Sequence, residues 1–380
     1  LPVEKSPQTY TMNHDKKPEV FMKIWIATGG TGGHVFPALA VAAELVKRGD
    51  RVIISADGRV QEMIRKNKPA GAGTAFVWAS GVGAKSSVRQ LIALFKIGCS
   101  ASALALRFMV LRPDKVVAFG GYASVPAILA ARAFRIPTYL HEQNAHIGRA
   151  NLFALRWVDV LMTSFPKVSG IRHSDTVSGK LRVVYTGLPV RKDFIDAASE
   201  YRIPNAEYRL LITGGSLGSQ ILDDVVPNAV AALSASVKKK LFVVHQTRPD
   251  AVARLQRFYA HNGIRANVLS FIHDMAAQMA AADLVISRAG ASTVVELQTV
   301  GRAAILVPLA INPDQPANAD AFAKTGAGFN VAQSKFTVKW LSATLAELFS
   351  NPARLLKMSS RARQENNAVE NIIKTLGIDS

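Results

Sequence analysis

Two glycine-rich turns, one in each half of the chain, restrict the fold more than any other feature of its 380 residues. The first is Thr28-Gly29-Gly30-Thr31-Gly32-Gly33-His34; the second is Thr213-Gly214-Gly215-Ser216-Leu217-Gly218-Ser219. Each follows a short apolar run (residues 24–27 and 210–212) and precedes a segment with helical periodicity. In a strand–turn–helix unit the glycines permit a tight turn, and the first amides of the helix point beyond the strand end, where an anion or a sugar fits. One such unit per half predicts two α/β domains with a cleft between them.

The rest of the chain follows the same rhythm. Apolar, β-branched runs at residues 23–27, 51–55, 74–78, 115–119, 138–140, 160–163 and 183–186 read as strands. Helical patterns at 37–48, 88–107, 125–133 and 149–157 separate them, with Pro37 suited to the first turn of its helix. The pattern restarts with strands at 209–213, 241–244, 268–271, 284–287 and 304–307 and helices at 221–234, 250–262, 275–281 and 292–299. Apolar strands spaced by helices indicate parallel sheets covered on both faces. Three closing helices fall at 340–349, 352–364 and 367–376. The expected division is an unstructured extension over 1–21, a first domain over 22–190, a second over 191–365, and a C-terminal helix over 366–380 able to pack back on the first domain. The boundary lies within 187–205, where prolines and mixed charge interrupt the pattern.

The formal charge of +19 implies attraction to something anionic: nucleic acid, an anionic bilayer or a phosphorylated substrate. Nucleic acid is disfavoured, because the basic residues are dispersed and neither zinc-finger spacing nor an aromatic RNA-binding signature accompanies them. The single cysteine, Cys99, excludes an intrachain disulfide framework and a cysteine-built zinc site, and is compatible with a reducing cytoplasm. No stretch reaches about 20 uninterrupted apolar residues, since 91–111 contains Lys96 and Arg107. The first 20 residues, polar and carrying Pro2, Pro7 and Pro18, lack the apolar core of a secretion signal. The expectation is a protein internal to the cell, soluble or peripheral to a membrane.

A dinucleotide oxidoreductase is the obvious competitor. The first turn lacks G-x-G-x-x-G spacing, and neither Asp50 nor Asp57 makes a clear ribose-binding pattern. No G-x-x-x-x-G-K-[ST] run is present, which disfavours a P-loop phosphotransferase. Polar clusters at predicted strand ends are more specific. Phe119-Gly120-Gly121-Tyr122 and His141-Glu142-Gln143-Asn144 close strands of the first half, at the edge where open α/β sheets bind ligands. In the second half Ser287-Arg288-Ala289-Gly290-Ala291-Ser292-Thr293 leads into a helix carrying Glu296. That helix start can face a diphosphate, with Glu296 one turn in to accept from ribose hydroxyls. Residues 313–318 read as a polar loop near a donor sugar.

These clusters, with His245-Gln246, Phe271-Ile272 and Asp274-Met275, occur in an order and spacing that resemble the MurG family from residue 22 to the C-terminus. Its members are bacterial N-acetylglucosaminyltransferases that complete the disaccharide of the lipid-linked peptidoglycan precursor. The resemblance implies a GT-B fold, two facing Rossmann-like domains. It implies inverting, β-1,4 transfer of N-acetylglucosamine from UDP-N-acetylglucosamine to the 4-hydroxyl of undecaprenyl-diphospho-N-acetylmuramoyl-pentapeptide. It further implies a place in cell-wall synthesis on the cytoplasmic face of the cell membrane, with cell-wall or division proteins as possible partners. No tightly bound cofactor or metal is implied, although a divalent cation could stimulate turnover. The alternatives are a GT-B enzyme with another acceptor and a catalytically weakened nucleotide-sugar or lipid-intermediate binding protein.

Inversion in one displacement needs a base, in-line placement and relief of charge on the leaving diphosphate, but no protein nucleophile. His34 is the first candidate for the base or for orienting the acceptor, against a capping or packing role. Glu142 and Asn144 are catalytic and acceptor-side candidates, against a turn and helix cap; Tyr122 and Gly32 line the acceptor groove, and His141 reads as structural. Donor candidates in the first half are Thr31, Gly32, Gly33 and Asn144. In the second half they are Arg191, Ser216, Gly218, Gln246, Ala291 and Thr293. The resemblance places uracil near Phe271 and Ile272, Glu296 on the ribose, and Gln315 on the N-acetylglucosamine, beside Asp314. Two departures touch the donor side: Leu188 stands where the family usually has asparagine, and Leu217 where it often has glutamine.

Residues 85–115 hold six basic side chains against Asp114, interleaved with apolar ones. Lys85, Arg89, Leu91, Leu94, Phe95 and Lys96 are the candidate contacts with anionic lipids, against an ordinary core helix with a solvated charged face.

Overall fold

The computed structural model describes residues 21–79, 87–172, 181–198, 207–215 and 218–378, with side chains 87–90 excepted. Within them lie two parallel sheets. The first contains β1 (Lys23–Ala27), β2 (Arg51–Asp57), β3 (Gly73–Val77), β4 (Lys115–Ala118), β5 (Thr138–Glu142), β6 (Val160–Thr163) and β7 (Arg182–Tyr185), in the order β3-β2-β1-β4-β5-β6-β7. The second contains β8 (Tyr208–Thr213), β9 (Leu241–Gln246), β10 (Arg265–Leu269), β11 (Leu284–Ser287), β12 (Ala303–Leu306) and β13 (Gly328–Asn330), in the order β10-β9-β8-β11-β12-β13. Strand order reverses at β1/β4 and at β8/β11, the switch points where such sheets open a crevice at their carboxyl ends. Each glycine turn leaves a switch-point strand.

Alternation along the strands supplies a core on each face. Ile24 and Ile26 join Val52, Ile54 and the inner face of α1 (Gly32–Lys47). Trp25 and Ala27 point the other way, toward Leu104 and Phe108. These lie on α3 (Ser87–Leu111), which follows α2 (Gln61–Asn67) and precedes α4 (Val125–Ala133) and α5 (Arg149–Ala154). In the second domain Leu210 and Ile212 pack under α7 (Gln220–Ala231), and Leu211 joins the opposite core. The other helices are α6 (Lys192–Ala197), α8 (Ala235–Lys240), α9 (Val252–His261), α10 (Met275–Ala281), α11 (Ala291–Val300), α12 (Asp314–Lys324), α13 (Val338–Ser350), α14 (Pro352–Ala362) and α15 (Ala368–Thr375).

Two expectations change. Residues 314–318 form the first turn of α12, not a loop: Ala317 N–H bonds the Pro313 carbonyl, and buried Asn318 is held by other elements. α1 starts at Gly32, so Pro37 sits inside the helix and cannot donate to the Gly33 carbonyl one turn back. The segment 91–111, though interrupted by Lys96 and Arg107, forms one helix long and apolar enough by length and composition to cross a membrane. Its inner residues Ala93, Ile97, Leu104 and Phe108 are buried.

α15 crosses back from the second domain. Ile372, Ile373 and Leu376 enter the core around Ile24 and Leu45, and Asn371 Nδ2 donates to the Thr186 carbonyl at 3.2 Å. Asn366 Nδ2 reaches the Leu188 carbonyl at 3.0 Å, and Leu188 itself is buried with Ala145, Phe165 and Val190. A leucine there packs an apolar joint between the two halves.

Candidate active site

The first turn is held from below. Gly30 N–H donates to Asp57 Oδ2 at 3.1 Å, and Arg59 Nη2 grips the same oxygen at 2.8 Å. A Cβ on Gly29 would lie 2.5 Å from Ala123 Cβ and 2.8 Å from Asp57 Oδ2, so only glycine fits. Beyond the turn, Thr31 is extended and gives α1 no side-chain cap, and the first turn of the helix carries no acid. The amides around Gly32 and Gly33 are thus left for an outside acceptor.

His34, in that same first turn, is partly exposed, and its Nδ1 lies 2.9 Å from Gln143 Oε1. Tyr122 begins the short 3-10 turn after Gly121, whose own Cβ would stand 3.9 Å from the His34 ring. His141 is fully buried, with Nε2 2.9 Å from the Gly187 carbonyl. Desolvation pushes its pKa down to about 4, with His34 adding to the fall against the Gly187 hydrogen bond, so the ring is neutral.

Glu142 is 1% exposed, and four N–H groups occupy its oxygens. Oε1 accepts from Asn144 N and Nδ2 at 2.8 and 3.1 Å; Oε2 accepts from Gly148 N at 2.9 Å and Asn151 Nδ2 at 2.8 Å. A carboxylate so placed holds the turn. Both oxygens already accept hydrogen bonds, an arrangement that favours the turn-holding alternative for Glu142 over contact with an acceptor hydroxyl. Asn144 Oδ1 accepts from Asn318 Nδ2 at 3.1 Å, a bond from the first sheet edge to α12 of the second domain.

The second edge collects the donor candidates at strand ends. Gln246 closes β9, where its Oε1 accepts from Thr213 Oγ1 at 2.7 Å. Ile272 is buried after β10, while Phe271 is 58% exposed and meets His273 edge-on. Ala291 opens α11, which Gly290 leaves without a side-chain cap or an acid in its first turn; Thr293 lies within that turn. Glu296 has its pKa raised to about 7, chiefly by desolvation, with Arg191 pulling it down and Asp193 pushing it up. Arg191 also lies over the rings of Phe194 and, across the domains, Phe36. Gly218 has φ +68° and packs under Arg248, where a Cβ would stand 2.7 Å from Arg248 Cγ. Gln315, partly exposed, accepts from Leu309 N–H at 2.9 Å. Ser216 lies outside the described residues.

The two uncapped helix starts face each other. A Cβ on Gly33 of α1 would come 3.7 Å from Ser292 Oγ of α11. The arrangement puts one amide-rich helix end and an imidazole on one wall, and a second helix end with Arg191 and Glu296 on the other. It suits a diphosphate leaving group opposite a hydroxyl nucleophile.

α3 presents a different surface. Leu91, Leu94, Phe95 and Lys96 are exposed, with Phe95 at 72% and Trp78 nearby in the chain fold at 76%. Ser100 Oγ clamps the Trp78 backbone through both its N–H and its carbonyl at 2.9 Å. Lys85 and the Arg89 side chain lie outside the described residues.

The glycosyltransferase family 28 N-terminal domain matches residues 24–163, and the family 28 C-terminal domain matches residues 209–376. The chain belongs to glycosyltransferase family 28, in its MurG branch. The UDP-N-acetylglucosamine--N-acetylmuramyl-(pentapeptide) pyrophosphoryl-undecaprenol N-acetylglucosamine transferase of Methylobacterium sp. (strain 4-46) is 42% identical over 347 residues, 90% of this chain and 92% of its own. The enzyme of the same name from Mesorhizobium japonicum is 40% identical over 345 residues, 90% of each chain. Among solved structures, MurG of Acinetobacter baumannii superposes with a TM-score of 0.74 at 32% identity, covering 93% of this chain and 99% of that one. The calicheamicin glycosyltransferase CalG4, at 14% identity and a TM-score of 0.65 over 94% of this chain and 98% of its own, shares the GT-B fold.

Four residues of the site carry no role in the sequence reading: Asp57, Arg59, Gln143 and Asn318. Alternation past the end of β5 separates His141 and Gln143 from Glu142 and Asn144, and was the available signal for Gln143. Asn318 has no such signal, because the helix that positions it begins in an apparent loop sequence.

Proposed function

We propose that this protein transfers N-acetylglucosamine from UDP-N-acetylglucosamine to the 4-hydroxyl of undecaprenyl-diphospho-N-acetylmuramoyl-pentapeptide, releasing UDP and giving a β-1,4 disaccharide on the lipid. The observation that carries this reading is the 42% identity that runs through both domains and nearly the full length of the relative. The first domain takes the acceptor and the second the nucleotide sugar.

His34 is the base. Its Nε2 takes the proton of the 4-hydroxyl as the oxygen forms a bond to C1 of the donor sugar from the face opposite UDP. The C1–oxygen bond to the β-phosphate breaks, and its electron pair leaves with UDP. The α11 amides and Arg191 stabilise the charge developing there. Ile272 and the backbone beside Phe271 hold uracil, Glu296 accepts from the ribose hydroxyls, and Gln246, Thr293 and Gln315 line the sugar-diphosphate path. Asn144, set by Glu142 and Asn318, reaches the sugars at the junction of the two edges.

The exposed apolar residues of α3, with Lys96, Arg107 and Arg112, rest on anionic lipid at the cytoplasmic leaflet. A cavity of about 570 Å³ lined by Asp57, Arg59, Trp78 and Lys96 adjoins both α3 and the Asp57 that holds the first glycine turn, and supports approach of a lipid-linked acceptor from that side.

Product analysis tests the reading. Purified protein with UDP-N-acetylglucosamine and a short-chain lipid-linked acceptor yields UDP and a β-1,4-linked disaccharide in equal amounts. Nucleotide release without disaccharide, or an α linkage, contradicts it.

A further inference from the structure

Two backbone carbonyls determine where the protons lie along a chain of three side chains behind the cleft. Gln143 Nε2 is 2.8 Å from the Phe119 carbonyl. A carbonyl only accepts, so the amide nitrogen of Gln143 must face it, and Oε1 is turned toward His34 Nδ1 at 2.9 Å. An amide oxygen also only accepts, so His34 Nδ1 must carry the hydrogen. At the other end His141 Nε2 is 2.9 Å from the Gly187 carbonyl and must donate to it. Neutral His141 then has a bare Nδ1, which receives the second N–H of Gln143 at 3.3 Å. Each group's orientation follows from its neighbour's, and reversing Gln143 would set oxygen against oxygen at Phe119.

We propose that Gln143 is the positioning residue that holds His34 in the Nδ1–H tautomer, leaving the Nε2 lone pair bare toward the cleft, with His141 as the strut that ties Gln143 to the Gly187 carbonyl. The inference rests on His34 as the base: only the tautomer with a free Nε2 takes a proton from a hydroxyl on the cleft side. The surroundings are built to admit this chain. A Cβ on Gly120 would stand 3.2 Å from Gln143 Oε1 and 2.9 Å from Asn151 Oδ1, and the φ of +79° at Gly120 disfavours any other residue. The anchor is equally constrained. Gly187 has φ +81°, donates its N–H to the Thr163 carbonyl at 3.1 Å, and leads into Leu188 between the domains.

Nitrogen-15 NMR of the full-length protein labelled at histidine, with the His34 signal assigned through His34→Gln, reads the tautomer without any turnover. The expected result at alkaline pH is hydrogen on Nδ1 and a bare Nε2. Gln143→Leu should convert His34 to a mixture or to Nε2–H and lower kcat about 10- to 100-fold, with the KM for UDP-N-acetylglucosamine unchanged. Gln143→Glu keeps an acceptor at His34 Nδ1 and should keep the Nδ1–H tautomer, at a cost in stability because its second oxygen faces the Phe119 carbonyl. A purely structural glutamine would leave the His34 tautomer unchanged in Gln143→Leu. A wild-type signal showing hydrogen on Nε2 overturns the proposal without recourse to a variant. So does a Gln143→Leu protein with unaltered tautomer and pH profile. If His34→Ala retains kcat, the base assignment fails, while the tautomer measurement still decides the role of Gln143.

Discussion

Asn318 Nδ2 on α12 donates to Asn144 Oδ1 at the end of β5, 3.1 Å away, joining the walls of the cleft. Asn318 is fully buried, and it also donates to the Ala289 carbonyl at 3.1 Å and accepts from Ala145 N–H at 2.8 Å. One amide therefore binds the turn after β5, the strand end before α11, and the helix carrying Gln315. Asn318→Ala leaves the Ala145 N–H without that partner in a buried place, at a cost of about 1–3 kcal/mol. Thermal unfolding should shift downward, and the KM for UDP-N-acetylglucosamine should rise. An unchanged melting temperature and KM would show that the bridge does not set the relation of the two walls.

Glu142 gives a sharper test of role. Glutamine in its place has one acceptor oxygen where the turn presents donors to two, so its NH2 group meets N–H groups instead of a lone pair. Glu142→Gln should therefore lower both stability and kcat by displacing Asn144. The kcat–pH profile should keep its shape, because no titrating base has been removed. Loss of the acid limb in this variant would return Glu142 to the chemistry.

With its pKa raised to about 7, Glu296 placed on the ribose should make donor binding depend on pH. Ribose hydroxyls donate more strongly to a carboxylate than to a neutral carboxyl, so the ionised form is the binding form. For a pKa of 7 that implies a Kd for UDP about tenfold weaker at pH 6 than at pH 8. The sign for stability is opposite. A carboxyl raised above its unfolded value of 4.5 costs the native state as pH climbs from there through about 7. Glu296→Gln should flatten the calorimetric Kd profile, and its melting temperature relative to the parent should be higher at pH 8 than at pH 5. A parent Kd that is flat between pH 6 and 8 contradicts the ribose assignment.

Membrane contact through α3 should be separable from catalysis. Phe95 is 72% exposed, so a charge there costs the fold little. Phe95→Glu should weaken sedimentation with vesicles containing anionic lipid, while turnover of a water-soluble short-chain acceptor stays the same. Lys96→Glu should weaken it further at low salt, each basic contact being worth about 1 kcal/mol near the surface. Equal sedimentation of parent and variants would remove α3 from the membrane.

Much of this architecture was legible in the residues. β1, β6 and β11, and helices α4 and α10, start and stop where apolar runs meet glycine, proline or polar clusters, so their limits coincide with the pattern. The helix start at Gly32 was not, because two glycines and a threonine carry no helical signal of their own; tertiary packing of Val35, Ala38 and Leu39 winds them. α12 was hidden by Pro313, Pro316 and two asparagines, and β13 by its three-residue length. Site residues on one strand end could be gathered from sequence, as with His141 to Asn144. Which of them face His34 and which hold the turn depended on partners more than a hundred positions away in the chain for Gln143, and on Asn151 and Gly148 for Glu142.

The position of the nucleotide in a crystal of the complex with UDP-N-acetylglucosamine tests the central claim most directly. Uracil should lie beside Ile272, the ribose hydroxyls within hydrogen-bonding distance of Glu296, the diphosphate at the start of α11, and C1 of the sugar facing His34 Nε2 with room for one hydroxyl between them. Uridine bound at the first sheet edge, with its diphosphate on α1 and Glu296 untouched, would contradict the assignment of donor and acceptor to the two walls.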